Sequence, residues 1–181
     1  MKRSDLSDQT AKSLPDSAEW QLKTFCREET VALGHCLGAL LPRETIVCLD
    51  GDLGAGKTAL TTGLAEGIGC QGLVSSPTFT LLMEHRPGPG GLALYHFDVY
   101  RLESADDFLD LGFDEYLTGD GICVIEWSER IRSILPASCL MIDLALSSPD
   151  HPDERTLSIR WPQHQELIER MRRCLQEASP C

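Results

Sequence analysis

The sequence predicts an α/β fold with a largely parallel central sheet, flanking helices and one antiparallel hairpin. Three observations carry this expectation. The runs Thr45-Ile46-Val47-Cys48-Leu49 and Ile122-Cys123-Val124-Ile125 are short, continuous and apolar, as strands buried on both faces are. Segments with helical period lie between the apolar runs, an alternation that builds parallel sheets. A glycine-rich turn joins the first run directly to a helix-forming stretch.

Residues 1–18 are polar and without period, and read as a flexible tail. From Glu28 to Leu41 the apolar positions Leu33, Cys36, Leu37, Leu40 and Leu41 share a helical face, and Pro42 stops the helix. The strand over 45–49 follows, then the turn, then a helix from about Lys57 to Gly67. Thr78 to Glu84 and Leu92 to Asp98 read as two strands of a hairpin, turned through Arg86-Pro87-Gly88-Pro89-Gly90-Gly91. A short helix is expected from Glu103 to Leu109, starting near Glu103 or Ser104. The strand Ile122 to Ile125 ends in Glu126. Leu140 to Leu146 and Arg155 to Trp161 alternate apolar with polar, as later strands. Leu167, Ile168, Met171 and Leu175 form the stripe of a last helix, with Glu169, Arg170, Arg172 and Arg173 on its wet face.

Composition sets the outer bounds. A chain of 181 residues and 20.0 kDa corresponds to about one domain at roughly 150 residues each. That domain is expected over residues 19–181. Asp and Glu number 28 against 16 Lys and Arg, and the net charge of −12 repels phosphate backbones. A free-standing nucleic-acid binder is therefore disfavoured. No apolar run approaches the ~20 residues of a membrane span, and the start of the chain has no apolar signal core. The 8 Cys form no C-x-x-C pair, so free thiols in a reducing cytoplasm are expected.

The turn after the first strand carries the sharpest signal. Gly51-Asp52-Leu53-Gly54-Ala55-Gly56-Lys57-Thr58 fits G-x-x-x-x-G-K-[ST] at every required position. Glycines let backbone N–H groups surround a β-phosphate, Lys57 adds positive charge toward the β- and γ-phosphates, and the Thr58 hydroxyl suits Mg²⁺. The following helix offers its positive end to the same anion. The loop follows a buried strand and opens a helix, so the fold is expected to be P-loop NTPase-like.

Such a site needs an acid near the metal. Asp98 and Glu126 each end an apolar strand, and two acids can divide metal holding from water handling. Spacing does not say which does which. Ser75-Ser76-Pro77-Thr78 is a hydroxyl-rich loop that reads equally as a phosphate-sensing switch or as an ordinary capped turn. His96 lies in an apolar run and reads as a core histidine, Trp127 as core packing or a nucleotide neighbour, and Arg101 as a surface ion pair.

Four segments occur together in order: the loop over 51–58, Ser76-Pro77-Thr78-Phe79-Thr80, His96-Phe97-Asp98-Val99-Tyr100-Arg101-Leu102 and Ile125-Glu126-Trp127-Ser128-Glu129. The set resembles the bacterial TsaE (YjeE) ATPases of tRNA threonylcarbamoyladenosine synthesis, over about residues 28–162. The resemblance implies a compact P-loop ATPase binding ATP and Mg²⁺, with slow hydrolysis when alone. It also implies work beside TsaD and TsaB, the core that modifies A37 of tRNAs reading ANN codons, which the ATPase resets without itself transferring the carbamoyl group. By the same resemblance Lys57 is the phosphate lysine, Thr58 the metal threonine and Glu126 the metal-associated acid. Asp98 is the acid near the attacking water, Thr78 the switch-loop threonine and Trp127 the tryptophan beside the nucleotide. Residues 51–59 form the cradle, with Ala59 where many relatives carry a second Thr. Glu28 or Glu29 is the expected neighbour of adenine.

Two other function classes compete. Small-molecule kinases share the loop and the size, and would use Arg130 and Arg132 near an acceptor pocket. A GTPase-like switch module would carry Asn-Lys-x-Asp for guanine, which the chain lacks.

Overall fold

The structure, a computed structural model, describes residues 19–148, 150–162 and 164–177. The expected tail over 1–18 lies outside the described residues. Seven strands form one sheet: β1 (Glu19–Thr24), β2 (Ile46–Asp50), β3 (Leu82–His85), β4 (Leu94–Asp98), β5 (Ile122–Glu126), β6 (Leu140–Ser148) and β7 (His151–Arg160). Their order is β1-β7-β6-β2-β5-β4-β3. The four central strands β6, β2, β5 and β4 run parallel. Antiparallel β7 and β1 close one edge and β3 closes the other. The predicted α/β class and its largely parallel centre are what the chain adopts.

The central strands alternate their side chains between two cores. Val47, Leu49, Ile122 and Val124 face one core, beneath α1 (Arg27–Gly38), α2 (Lys57–Ile68) and α5 (Gln165–Glu177). Ile46, Cys48, Cys123 and Ile125 face the other, beneath α3 (Ala105–Asp110), α4 (Asp114–Leu117) and two 3₁₀ turns over Ser128–Ile134. Burial on both faces explains why these strands read as continuous apolar runs. The seven described cysteines are free thiols, and Cys48 and Cys123 sit in this core as small hydrophobes.

Helices α1 and α2 meet backbone to backbone. A Cβ added at Gly63 would lie 1.9 Å from the Val31 carbonyl oxygen, and one at Gly34 would lie 2.3 Å from that of Leu60. Gly38 and Gly67 repeat the arrangement one turn along. This seam seats the start of α2 firmly on α1 and so fixes where the phosphate-type loop can stand. Helix α3 begins at Ser104, whose hydroxyl accepts the Asp107 N–H while the Asp107 carboxylate accepts the Ser104 N–H.

Several expected boundaries move. Thr78–Leu81 is a turn, and β3 starts only at Leu82. The register explains this: Leu82 pairs with Phe97, and the Asp98 N–H donates to Leu81, so residues further back overrun the end of β4. Strand β1 lay unread in the sequence, although Trp20 and Leu22 alternate inward against the core. Strand β7 begins four residues earlier than expected because β6 pairs with it through a long hairpin. On α5, Glu169, Arg170 and Arg173 are exposed as expected, but Arg172 lies over the Trp20 ring and ion-pairs with Glu169. Among the described residues, no helix is long and apolar enough to cross a membrane.

Candidate functional site

Parallel strands put their carboxyl ends on one edge of the sheet, where loops can converge. Here the loop over 51–58 leaves the end of β2, and Asp98 and Glu126 close the ends of β4 and β5. The register pairs Asp98 directly with Glu126. A cavity of about 580 Å³ opens between them, lined by Gly54, Gly56, Lys57, Thr58, Ala59, Thr78, Asp98, Glu126 and Trp127, and by Leu53 at the loop tip. Gly51, Asp52 and Ala55 of the loop are not in this lining, and Asp52 is exposed.

The loop takes its shape from its glycines and its burial. Gly51 has φ +133°, and a Cβ there would strike the Leu144 carbonyl at 2.1 Å. Gly56, with φ +108°, delivers the chain into α2. The first bond inside that helix runs from the Leu60 N–H to the Gly56 carbonyl. The N–H groups of Lys57, Thr58 and Ala59 precede it and have no carbonyl of their own helix to reach.

The Lys57 ammonium is buried, donates to the Gly51 and Asp52 carbonyls at 2.5 and 3.0 Å, and lies 3.9 Å from the Trp127 ring centroid. Burial pushes its pKa down, opposed by the charges of Glu126, Glu129, Asp98 and Asp50. Trp127 holds a left-handed backbone, φ 65°, with its N–H on the Leu49 carbonyl. A tryptophan in that conformation is costly and is kept by its surroundings. Its ring meets Tyr100 at 4.9 Å.

The two acids have separate settings. The Thr58 hydroxyl donates to Glu126 Oε1 at 3.0 Å, and His96 Nε2 stands 2.9 Å from the same oxygen. His96 is fully buried, as a core histidine is, but its partner is the site acid. The sequence signal for that contact was its alternate position: His96 and Asp98 point to one face of β4. Asp98 Oδ2 accepts from the Ser76 and Thr78 hydroxyls at 2.7 Å each, and Oδ1 accepts the Tyr100 N–H at 3.1 Å. The hydroxyl-rich loop thus closes onto this acid.

Other residues differ from their sequence readings. Arg101 makes no ion pair among the described residues; its guanidinium lies 4.6 Å over Phe79. Arg130 donates to the Leu102 carbonyl and covers Tyr100. Arg132 binds Asp50, whose carboxylate also accepts the Ser128 hydroxyl and the Glu129 N–H. Both arginines expected near an acceptor pocket are exposed residues whose guanidinium groups bond to partners within the chain. Burial raises the Asp50 pKa, but the hydrogen bonds and the Arg132 charge outweigh it and leave it lowered. Asp50 thereby ties the end of β2 to the segment after Glu126, a role unread in the sequence. Glu28 and Glu29 stand outside the cavity lining, where Arg27 and Thr30 take part instead. Glu29 accepts the Phe25 N–H at the head of α1. Asp153 and Arg155 also line the cavity, from a strand 100 residues beyond the loop.

The family model for threonylcarbamoyl adenosine biosynthesis protein TsaE matches residues 25–157. The tRNA threonylcarbamoyladenosine biosynthesis protein TsaE of Treponema pallidum is 48% identical over 117 residues, 65% of this chain and 84% of that protein. Its namesake in Bacillus subtilis is 44% identical over 128 residues, covering 71% and 78%. The crystal structure of Bacillus subtilis YdiB superposes with a TM-score of 0.73 at 34% identity, over 87% of this chain and 96% of that one. With the model matching most of the chain and relatives this similar, the chain belongs to the TsaE family.

Proposed function

We propose that this chain is a Mg²⁺-dependent ATPase acting in tRNA threonylcarbamoyladenosine formation, in the cytoplasm, beside the TsaB and TsaD subunits. The observation that carries the reading is the pairing of Asp98 with Glu126 directly across from the loop bearing Lys57 and Thr58.

The residues fit nucleotide and metal. The free N–H groups at the start of α2 and the Lys57 ammonium suit a polyphosphate. Hard oxygen donors, the Thr58 hydroxyl and the Glu126 carboxylate, suit Mg²⁺, which keeps waters and shares phosphate oxygens and so needs no full protein cage. Among the described residues no group of three or more His, Cys, Asp and Glu forms such a cage. When bound, the ion would neutralise charge on the β- and γ-phosphates.

This chain's residues do the rest. The loop and Lys57 hold the phosphates. Thr58 and Glu126 would hold the metal, and His96, 2.9 Å from Glu126 Oε1, fixes the Glu126 carboxylate. Asp98, oriented by Ser76, Thr78 and Tyr100, takes a proton from the attacking water as its oxygen bonds to the γ-phosphorus. The bond to the bridging oxygen breaks, and ADP leaves with the electron pair. Ser76 and Thr78 lie on one loop, so a partner that moves this loop would set the rate. The chain's negative charge suits action on a protein complex more than direct grip of tRNA.

The test is phosphate release from ATP by the purified protein, with and without Mg²⁺, alone and with TsaB and TsaD. Slow, metal-dependent release alone that changes on adding the pair is expected. No ATP binding or hydrolysis under any of these conditions overturns the reading. Hydrolysis indifferent to the pair overturns partner gating, and a phosphoryl-acceptor screen for kinase activity would follow.

A further inference from the structure

Arg155, like Arg27, is a cation in the cavity lining that neither the loop motif nor the acids explain. It sits on β7, held on both sides by pairing with Thr24 of β1 and Leu146 of β6. Its guanidinium reaches the loop: Nε donates to the Ala55 carbonyl at 2.9 Å and Nη2 to the Gly54 carbonyl at 3.3 Å. Nη1 donates to the Pro152 carbonyl at 2.5 Å and to that of Glu154 at 3.3 Å, which holds the fork in place. Among the described residues it pairs with no carboxylate, although the chain is strongly acidic.

A trans peptide carries its carbonyl and the next residue's N–H on opposite sides. Drawing the Gly54 carbonyl toward Arg155 turns the Ala55 N–H to the opposite side, where it closes the turn on the Asp52 carbonyl at 3.1 Å. Drawing the Ala55 carbonyl toward Arg155 turns the Gly56 N–H away from β7. A Cβ at Gly56 would sit 3.7 Å from Arg155 Nε, 3.9 Å from Leu144 Cδ2 and 4.0 Å from Thr30 Cγ2, so Arg155 and Thr30, both in the cavity lining, bound the loop on this side.

We infer that Arg155 is a positioning residue: by holding the Gly54 and Ala55 carbonyls it pins the peptide planes of the loop so that the Gly56 N–H donates to a bound nucleotide's β-phosphate. The inference rests on the nucleotide reading above. The donors of Arg155 go to backbone carbonyls of the loop and of its own strand, and among its hydrogen bonds none reaches Asp98 or Glu126. Arg155 therefore acts on binding of ATP and ADP alike, more than on the chemical step. Lys keeps the charge but lacks the fork that holds two carbonyls at once.

The test measures ATP and ADP affinity by calorimetry, and kcat at saturating ATP, for the full chain, Arg155→Ala and Arg155→Lys. Arg155→Ala is expected to weaken both nucleotides by roughly 10- to 100-fold, the worth of a hydrogen-bonded charge, with kcat falling by a smaller factor. Arg155→Lys is expected between the two, and added guanidinium should restore part of the lost affinity to Arg155→Ala. If Arg155→Ala does not fold, Arg155→Lys carries the test, with thermal melting as the control. Wild-type affinity in a folded variant overturns the inference, as does a fall in kcat larger than the fall in affinity. A wild-type chain that binds no nucleotide overturns this inference together with the reading it rests on. A wild-type chain that binds, with both variants equal to it, overturns the inference alone.

Discussion

On the proposed function, Asp98→Asn should separate holding a nucleotide from hydrolysing it. Asp98 touches no part of the phosphate loop; its three partners are the Ser76 and Thr78 hydroxyls and the Tyr100 N–H. An amide offers one acceptor and one donor where the carboxylate offers two acceptors. The Tyr100 N–H is fixed, so the amide oxygen must face it. The two hydroxyls rotate and can turn to accept from the NH₂. The substitution should then cost stability no more than about 1 kcal/mol, the net worth of one hydrogen bond. Removing a negative charge near the phosphates leaves affinity unchanged or slightly higher, by the sign of Coulomb's law. The rate loses its proton acceptor, a loss of about 10²- to 10⁴-fold for a general base. Calorimetric titration with ATP and Mg²⁺, beside single-turnover phosphate release, measures both. A loss of affinity in step with the loss of rate would refute the assignment, because it would place Asp98 in binding.

The other predictions test the metal side, the helix seam and the pH response. Glu126→Gln should raise the Mg²⁺ concentration for half-maximal hydrolysis by roughly tenfold or more, read from a metal titration at saturating ATP. Gly63→Ala forces a methyl against the Val31 carbonyl, and should destabilise by about 1–3 kcal/mol or more. That is a drop in Tm of roughly 2–4 °C per kcal/mol for a chain of this size, measured by thermal melting. Glu129 is an exposed residue, yet partial burial and a hydrogen bond with Asp50 push its pKa up to about 7 from 4.5. A raised folded value favours the protonated form, so this stabilisation is full below about pH 4.5 and lost as pH rises through about 7. Glu129→Gln should flatten that part of the stability–pH curve in denaturant melts, by less than about 1 kcal/mol given the exposure.

What could be read in the sequence follows from how locally each feature is specified. The phosphate-type loop is eight consecutive residues between a strand and a helix, so its place between β2 and α2 is readable from the sequence. Asp98 and Glu126 were readable because strand ends are set by where apolar runs stop. That they face each other was not, because the register of β4 on β5 is a pairing between segments 28 residues apart. The His96 contact follows from the same register once it is known, since alternate residues of neighbouring strands share a face. The α1–α2 seam did leave a trace: Gly34 and Gly38, and Gly63 and Gly67, each stand four apart, as residues on one helical face do. The threonine-rich neighbourhood of Thr78 has strand character, but its hydroxyl and that of Ser76 each donate to Asp98 and hold this segment off the strand, in a turn. Arg155 is the limiting case. A guanidinium selects carbonyls by where β7 lies beside β6, and the alternation of residues 155–161 specifies a strand without specifying its neighbour. The parts of this site proposed to contact phosphate are thus written along the chain, while the parts that orient them are written across the sheet.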